Sequence, residues 1–261
     1  MTSGESTVER EGGEGEGEVV LYSSWYCPYA QRARISLEEK RIAYRQVEVD
    51  LSNKPPELLA ANPRGLVPAI IHNGKSLFES MVVAEYLDEA FPRGSIGVDG
   101  LPRGGLMPVQ PYDRAIARIW IDFVGKKITA TFLKVLQTQD PEGQEKAKSE
   151  YLGHIKELSS AMEGISPDGP FFMGEEFGIV DIALVPFAMR HGVLKHFREL
   201  SVPDSPEFSR FRVWFAAAVN WPSVKATSFD EKDILPILSK YANNTATSQA
   251  AIAIRNNAPL P

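Results

Sequence analysis

Short strand-like and helix-like segments alternate between Val19 and Ala90, and from Tyr112 onward only long helical periods remain. Val19-Val20-Leu21-Tyr22 is a β-branched apolar run that predicts a buried strand. Ser23 to Pro28 reads as a turn, with Pro28 suited to the first position of a helix because its missing N–H is not needed there. A helix is expected over Tyr29–Lys40, an alternating strand over Ala43–Val49 and a short helix over Glu57–Ala61. Leu66–Ile71 and Ser76–Phe78 then form a hairpin around Asn73-Gly74, and a helix runs from Glu79-Ser80 to about Ala90. That order gives a mixed sheet with helices on its faces, the layout of a thioredoxin-like domain.

Residues 92–111 hold nine Gly or Pro and mark a linker or surface excursion. Beyond them helices are expected over Tyr112–Gln137, Glu142–Gly164, Val180–Phe197 and Phe208–Val219, with a shorter one near Asp233–Tyr241. The chain therefore divides into an α/β domain over 19–92, a linker over 93–111 and an all-α domain over 112–241. Residues 242–261 lose their periodicity and read as a frayed extension.

Charge is concentrated at the start. Residues 1–18 carry six Glu against one Arg, so of the net charge of −6 only −1 is left for the other 243 residues. That stretch has five glycines and almost no large apolar side chain, which predicts a disordered acidic tail. It is too acidic for a transit peptide and lacks the apolar core of a signal peptide. No apolar run reaches the ~18 residues of a membrane span. The net charge of −6 argues against nucleic-acid binding, since duplex binders carry basic faces. A cytoplasmic protein is the expectation. His191 and His196 are the nearest pair among four histidines, lie on different helix faces and have no carboxylate at ligand spacing, so no metal site is expected.

Cys27 is the sole cysteine, which excludes an intramolecular disulfide. A lone thiol is ordinarily an inert core group. This one falls between a strand end and a helix start, where free N–H groups and the helix dipole favour an anion. Arg32 and Arg34 add positive charge within two turns. Cysteines in such surroundings have pKa values lowered to roughly 3.5–7.5, and the thiolate is the nucleophile. The position where a dithiol redox protein would carry a second cysteine holds Ala30, so a mixed disulfide at Cys27 would need an external thiol to release it. Tyr22 reads as core, and Ser24 as a secondary candidate beside Cys27.

Trp25-Tyr26-Cys27-Pro28-Tyr29-Ala30-Gln31-Arg32, Asn53-Lys54-Pro55, Asn62-Pro63-Arg64-Gly65-Leu66-Val67-Pro68 and Glu79-Ser80 followed by Glu85-Tyr86-Leu87-Asp88 resemble the glutathione transferase superfamily. The likeness is greatest to its Cys-type omega class, with the lambda class and dehydroascorbate reductases as near relatives. The resemblance implies a thioredoxin-like N-terminal domain followed by an all-helical C-terminal domain. It also implies glutathione as co-substrate and a thiol transferase acting through Cys27: reduction of glutathione mixed disulfides, deglutathionylation and dehydroascorbate reduction. Carried over by motif, a cis Val67–Pro68 step would present the backbone of Val67 to the cysteinyl part of glutathione, as in strand addition to a sheet edge. Glu79 and Ser80 would meet the γ-glutamyl amino and carboxylate groups, and Lys54 the glycine carboxylate. Tyr29 and Leu66 would line the tripeptide.

In the helical domain, Phe177 to Leu184 resembles the family's buried capping box, with Gly178 in place of the usual Ser or Thr and Asp181 as a structural acceptor. Trp25, Tyr26, Phe123 and Trp214 are candidates for an apolar second-substrate pocket. Omega relatives form homodimers and lambda relatives monomers, so the resemblance leaves a homodimer open. It equally leaves open a non-catalytic, ligand-binding or regulatory scaffold with the same cysteine motif.

Overall fold

The computed structural model describes residues 17–261. The acidic tail expected at 1–18 thus lies outside the described residues except for its end, where Glu18 pairs with Arg45 at 3.0 Å. The described residues form two compact units: one takes in residues 17–109 together with Pro222–Thr227, the other Gln110–Trp221 and Ser228–Pro261.

The first unit is built on strand β1 (Val19–Ser23), helix α1 (Pro28–Glu39), β2 (Tyr44–Glu48), α2 (Pro56–Ala61), β3 (Ala69–His72), β4 (Lys75–Phe78) and α3 (Ser80–Ala90). The sheet order is β2-β1-β3-β4. β1 runs parallel to β2, with Val19 opposite Tyr44, and antiparallel to β3, with Leu21 opposite Ile70. All five residues of β1 are buried, as expected of a central strand covered on both faces. Val19, Leu21 and Ile70 pack with Ala33, Leu37, Val83, Leu87 and Phe91 on one face, and Val20, Tyr22 and Ala69 pack with Ala30, Leu58, Ala61 and Val67 on the other. Each valine, leucine, isoleucine or phenylalanine among them contributes about 1.5–3 kcal/mol when fully buried, and the alanines less. The β3–β4 hairpin turns through Asn73 and Gly74, both at positive φ, which is why Asn-Gly stands there.

The expected linker is part of this unit. Residues 94–103 fold back on themselves, with the Gly94 amide bonded to the Arg103 carbonyl and the Arg103 amide to the Ser95 carbonyl. Lys40, wholly buried, donates to Asp88 at 2.9 Å and to the Gly104 carbonyl at 2.8 Å. Asp88 also accepts from the amides of Leu106 and Met107. The glycines and prolines read as a linker or surface excursion in the sequence, but the segment is held by bonds within itself and by Lys40 and Asp88. Further along the chain, α10 (Pro222–Ala226) belongs to the same unit, where Gln31 donates to the Thr227 carbonyl at 3.2 Å.

The second unit is helical, as expected: α4 (Pro111–Phe123), a π-helical segment (Val124–Thr129), α5 (Ala130–Gln137), α6 (Pro141–Ile165), α7 (Ile179–Ala188), α8 (His191–Arg198), α9 (Ser209–Ala218), α11 (Glu231–Ala242) and α12 (Gln249–Arg255). Two expectations are corrected. The single helix expected over Val180–Phe197 breaks at Met189-Arg190. In a continuous helix the Pro186 carbonyl would accept from the Arg190 amide; instead it accepts from the Arg190 guanidinium, and the amide turns to Phe187. The extension at 242–261 is not frayed over its middle. Ser248 caps α12 by accepting from the Ala251 amide at 3.1 Å, and Ala251 and Ala253 are buried. Two small buried faces in a polar, alanine-rich stretch leave little periodic signal. Among the described residues no helix is long and apolar enough to cross a membrane.

Candidate functional site

Cys27 is the N-cap residue of α1, with an extended backbone (φ −76°, ψ 119°). Its amide donates to the Ser24 carbonyl at 2.9 Å and its carbonyl accepts the first helical bond, from Gln31, at 3.0 Å. The β1-to-α1 turn therefore delivers the sulfur to the positive end of the helix. The half-buried Sγ lies 3.8 Å from the Val67 carbonyl oxygen. Tyr22, Ser23 and Ser24 are buried, whereas Tyr26 and Cys27 are partly exposed.

Two buried arginines stand behind the turn. Arg34 donates to the Trp25 carbonyl at 2.8 Å, while the Trp25 amide donates to Glu48 at 2.8 Å. Arg32 donates to the Ser80 hydroxyl at 3.2 Å and lies 5.3 Å over the Tyr29 ring. Burial pushes the Arg32 guanidinium down to about 10, which leaves it charged at neutral pH, and both arginines act electrostatically on Cys27. Each favours the anionic form of the sulfur.

Val67–Pro68 is a cis peptide bond. Pro68 was expected inside a strand; it lies just before β3, which starts at Ala69, so no ladder bond is lost to it. Asn62 fixes the preceding turn by donating to the Leu66 carbonyl at 2.9 Å and accepting from the Arg64 amide at 3.1 Å. Gly65 has φ +61°, and a Cβ there would come within 3.0 Å of Lys54 Cδ, so glycine both permits the turn and makes room for Lys54. Ser80 opens α3 and is buried. Glu79 before it holds a positive φ of 73° and is exposed, with its carboxylate 2.6 Å from the Arg64 guanidinium.

The structure thus brings Cys27 to Val67, Lys54 to Gly65 and Ser80 to Arg32, and the rings of Trp25 and Tyr26 meet edge to face at 5.6 Å. Phe123 lies in the other unit, edge-on to Trp120 and His154. Trp214 does not fit a pocket wall. It is wholly buried and donates to Asp181 at 2.6 Å. Asp181 also accepts from the amides of Gly178 and Phe172, which matches its expected structural role. Asn62 and Arg64 belong to a motif that carries the family resemblance, but their bonds to Leu66 and Glu79 are visible only in the structure, and Glu48 gives no signal because its partner is 23 residues away. Among the described residues no three His, Cys, Asp or Glu side chains form a group that could hold a metal ion.

The family model for the glutathione S-transferase N-terminal domain matches residues 21–95, and that for the C-terminal domain matches residues 145–217. A probable glutathione S-transferase of Nicotiana tabacum, parC, is 36% identical over 219 residues, covering 84% of this chain and 92% of its own. Glutathione transferase Omega 3C from Trametes versicolor is 34% identical in its crystal structure, with a TM-score of 0.72 over 85% of this chain and 92% of that one. The Tau class glutathione S-transferase of mango, Mangifera indica, is 27% identical, with a TM-score of 0.77 over 86% and 98%. Omega and tau neighbours stand side by side, so the likeness reaches the family and not one class. With both halves matched in order and a third of its residues shared over most of its length, the chain belongs to the glutathione S-transferase family.

Proposed function

We propose that this protein is a glutathione-dependent thiol transferase of omega type that works through Cys27. The observation that carries the reading is the place of the thiol: an N-cap position, half-exposed, with two buried arginines behind it and the Val67 carbonyl 3.8 Å away. The Cys27 thiolate attacks the glutathionyl sulfur of a mixed disulfide. The substrate's thiolate leaves and takes up a proton, and a Cys27–glutathione disulfide forms. A second glutathione thiolate attacks the glutathionyl sulfur of that disulfide, giving oxidised glutathione and returning the Cys27 thiolate. Cys27 is the sole cysteine, so the resolving thiol comes from outside the chain.

In this reading Lys54 pairs with the glycine carboxylate, and the Val67 backbone pairs with the cysteinyl unit. Glu79 takes the α-ammonium group, and Ser80 with the first amides of α3 takes the γ-glutamyl carboxylate. Tyr29 and Leu66 flank the tripeptide; Trp25 and Tyr26 are the candidates in this unit for contact with the second substrate. The chemistry needs a reducing glutathione pool, which supports a cytoplasmic setting, and a homodimer is the assembly the omega likeness favours.

Cys27→Ala is expected to abolish reduction of a glutathione mixed disulfide while the protein still binds immobilised glutathione. Undiminished turnover would remove Cys27 from the mechanism. Binding without turnover by the native protein would favour the non-catalytic scaffold. Cys27→Ser is expected to gain conjugating activity, since a hydroxyl forms no mixed disulfide and can instead stabilise the glutathione thiolate.

A further inference from the structure

Glu79 is the one acidic side chain the proposed glutathione site offers to a cation, and it is already engaged: Arg64 Nη1 lies 2.6 Å from its Oε1. Both side chains are about half exposed, 56% for Arg64 and 47% for Glu79, so the pair is in contact with solvent and can open. Its two ends are nonetheless firmly based. The Arg64 amide is bonded to Asn62, and Asn62 in turn holds the Leu66 carbonyl, so the Arg64 backbone cannot drift. The guanidinium lies 6.0 Å over the Phe78 ring. Glu79 leaves β4 at a positive φ and is followed by Ser80, which Arg32 fixes from behind. The ion pair thus joins two fixed points of backbone at the open end of the β3–β4 hairpin, where Ala69 pairs with Phe78 and Val67 leads into β3.

We propose that Arg64 is a built-in competitor for the ammonium-binding carboxylate, and so sets how strongly the site holds glutathione. This inference rests on the assignment of Glu79 to the α-ammonium group. One carboxylate cannot serve a guanidinium and an ammonium at full strength, so binding of the tripeptide weakens or opens the Arg64–Glu79 pair. The competition acts only on ligands that carry the amine. A tripeptide analogue lacking it leaves Arg64 on Glu79 undisturbed. The site thereby becomes less sensitive to the γ-glutamyl amine than a free Glu79 would make it.

The test is calorimetric binding of S-methylglutathione, and of its analogue with the α-amine replaced by hydrogen, to the native protein, Arg64→Gln, Arg64→Lys and Glu79→Gln. Arg64→Gln is expected to bind S-methylglutathione about two- to five-fold more tightly than the native protein, the range an exposed ion pair supports, and to bind the amine-free analogue unchanged. Arg64→Lys, which keeps the charge, should stay close to native. Equal or weaker binding of S-methylglutathione by Arg64→Gln overturns the proposal, as does an equal change for both ligands, which would mark a general electrostatic effect. Glu79→Gln reports on the underlying assignment by itself: if it binds S-methylglutathione as the native protein does, Glu79 is not the ammonium site and both statements fall. If Glu79→Gln weakens S-methylglutathione while Arg64→Gln leaves it unchanged, only the competition is lost.

Discussion

Arg34 donates to the Trp25 carbonyl at 2.8 Å, gripping from the body of α1 the peptide that stands two residues before Cys27. Glu48 accepts from the amide of the same tryptophan, so the turn is held on both sides. Arg34 also places a buried charge near the sulfur. Arg34→Gln is expected to slow alkylation of Cys27 by iodoacetamide about three- to tenfold at neutral pH and to move its pH profile upward, because the thiolate loses a stabilising cation. Glu48→Gln removes a carboxylate and keeps an acceptor for Trp25, so it should leave the rate equal or faster. A slower Glu48→Gln, or an unchanged Arg34→Gln, contradicts this electrostatic account.

Two buried groups of the helical unit give opposite pH dependences. Burial raises the Asp181 carboxyl to about 6 against the pull of its hydrogen-bond donors, so the folded chain holds a proton there that the unfolded chain has lost, and stability falls as pH rises from about 4 to 6. Burial lowers His191 to about 4; its Nε2 and the Tyr151 hydroxyl share a hydrogen bond of 2.6 Å. The unfolded chain binds that proton first, so stability is present above about pH 6.5 and is lost as pH falls toward 4, by roughly 3 kcal/mol. Denaturant titrations across this window should show a steeper acid loss in Asp181→Asn than in the native protein, and a reversed slope in His191→Gln. Parallel profiles for all three would refute the assignment.

The Lys40–Asp88 pair holds the glycine-rich segment after α3. Asp88→Ala strips Lys40 of its carboxylate and frees the Leu106 and Met107 amides, a loss of about 3–5 kcal/mol in line with breaking a buried pair. Trypsin should then cut after Arg103 at native temperature. Resistance equal to that of the native protein would show that the clamp is dispensable.

Ser248 caps α12 and also accepts from the Tyr241 hydroxyl at 2.8 Å. Ser248→Ala should cost about 0.5–2 kcal/mol, read as an earlier urea midpoint. A midpoint within error of native would return this helix to the frayed extension that the sequence suggests.

The parts of the fold legible in the sequence were those where a local rule and the tertiary structure agree. Val19 to Tyr22 is a buried strand because it is apolar throughout, and Pro28 starts α1 because proline suits that position. Asp181 was readable as an acceptor from its place in a capping pattern. What escaped depends on partners distant in sequence or on a carbonyl being claimed twice. The break at Arg190 arises from its own side chain displacing its amide, and nothing in the apolar pattern of 179–197 records that. Trp214 carried the same aromatic signal as a pocket residue; only its bond to Asp181 separates core from wall. Glu48 and Arg64 find their partners 23 and 15 residues away, so these contacts follow from topology, although Arg64 itself lies in one of the motifs.

Passage of the glutathionyl group through Cys27 is tested most directly by intact-mass and peptide mass spectrometry of the native protein, mixed with a glutathionylated peptide and then with reduced glutathione. One glutathionyl adduct, on the peptide containing Cys27, is expected to appear with the first reagent and disappear with the second. Turnover of the mixed disulfide with no adduct at Cys27 at any time would contradict it.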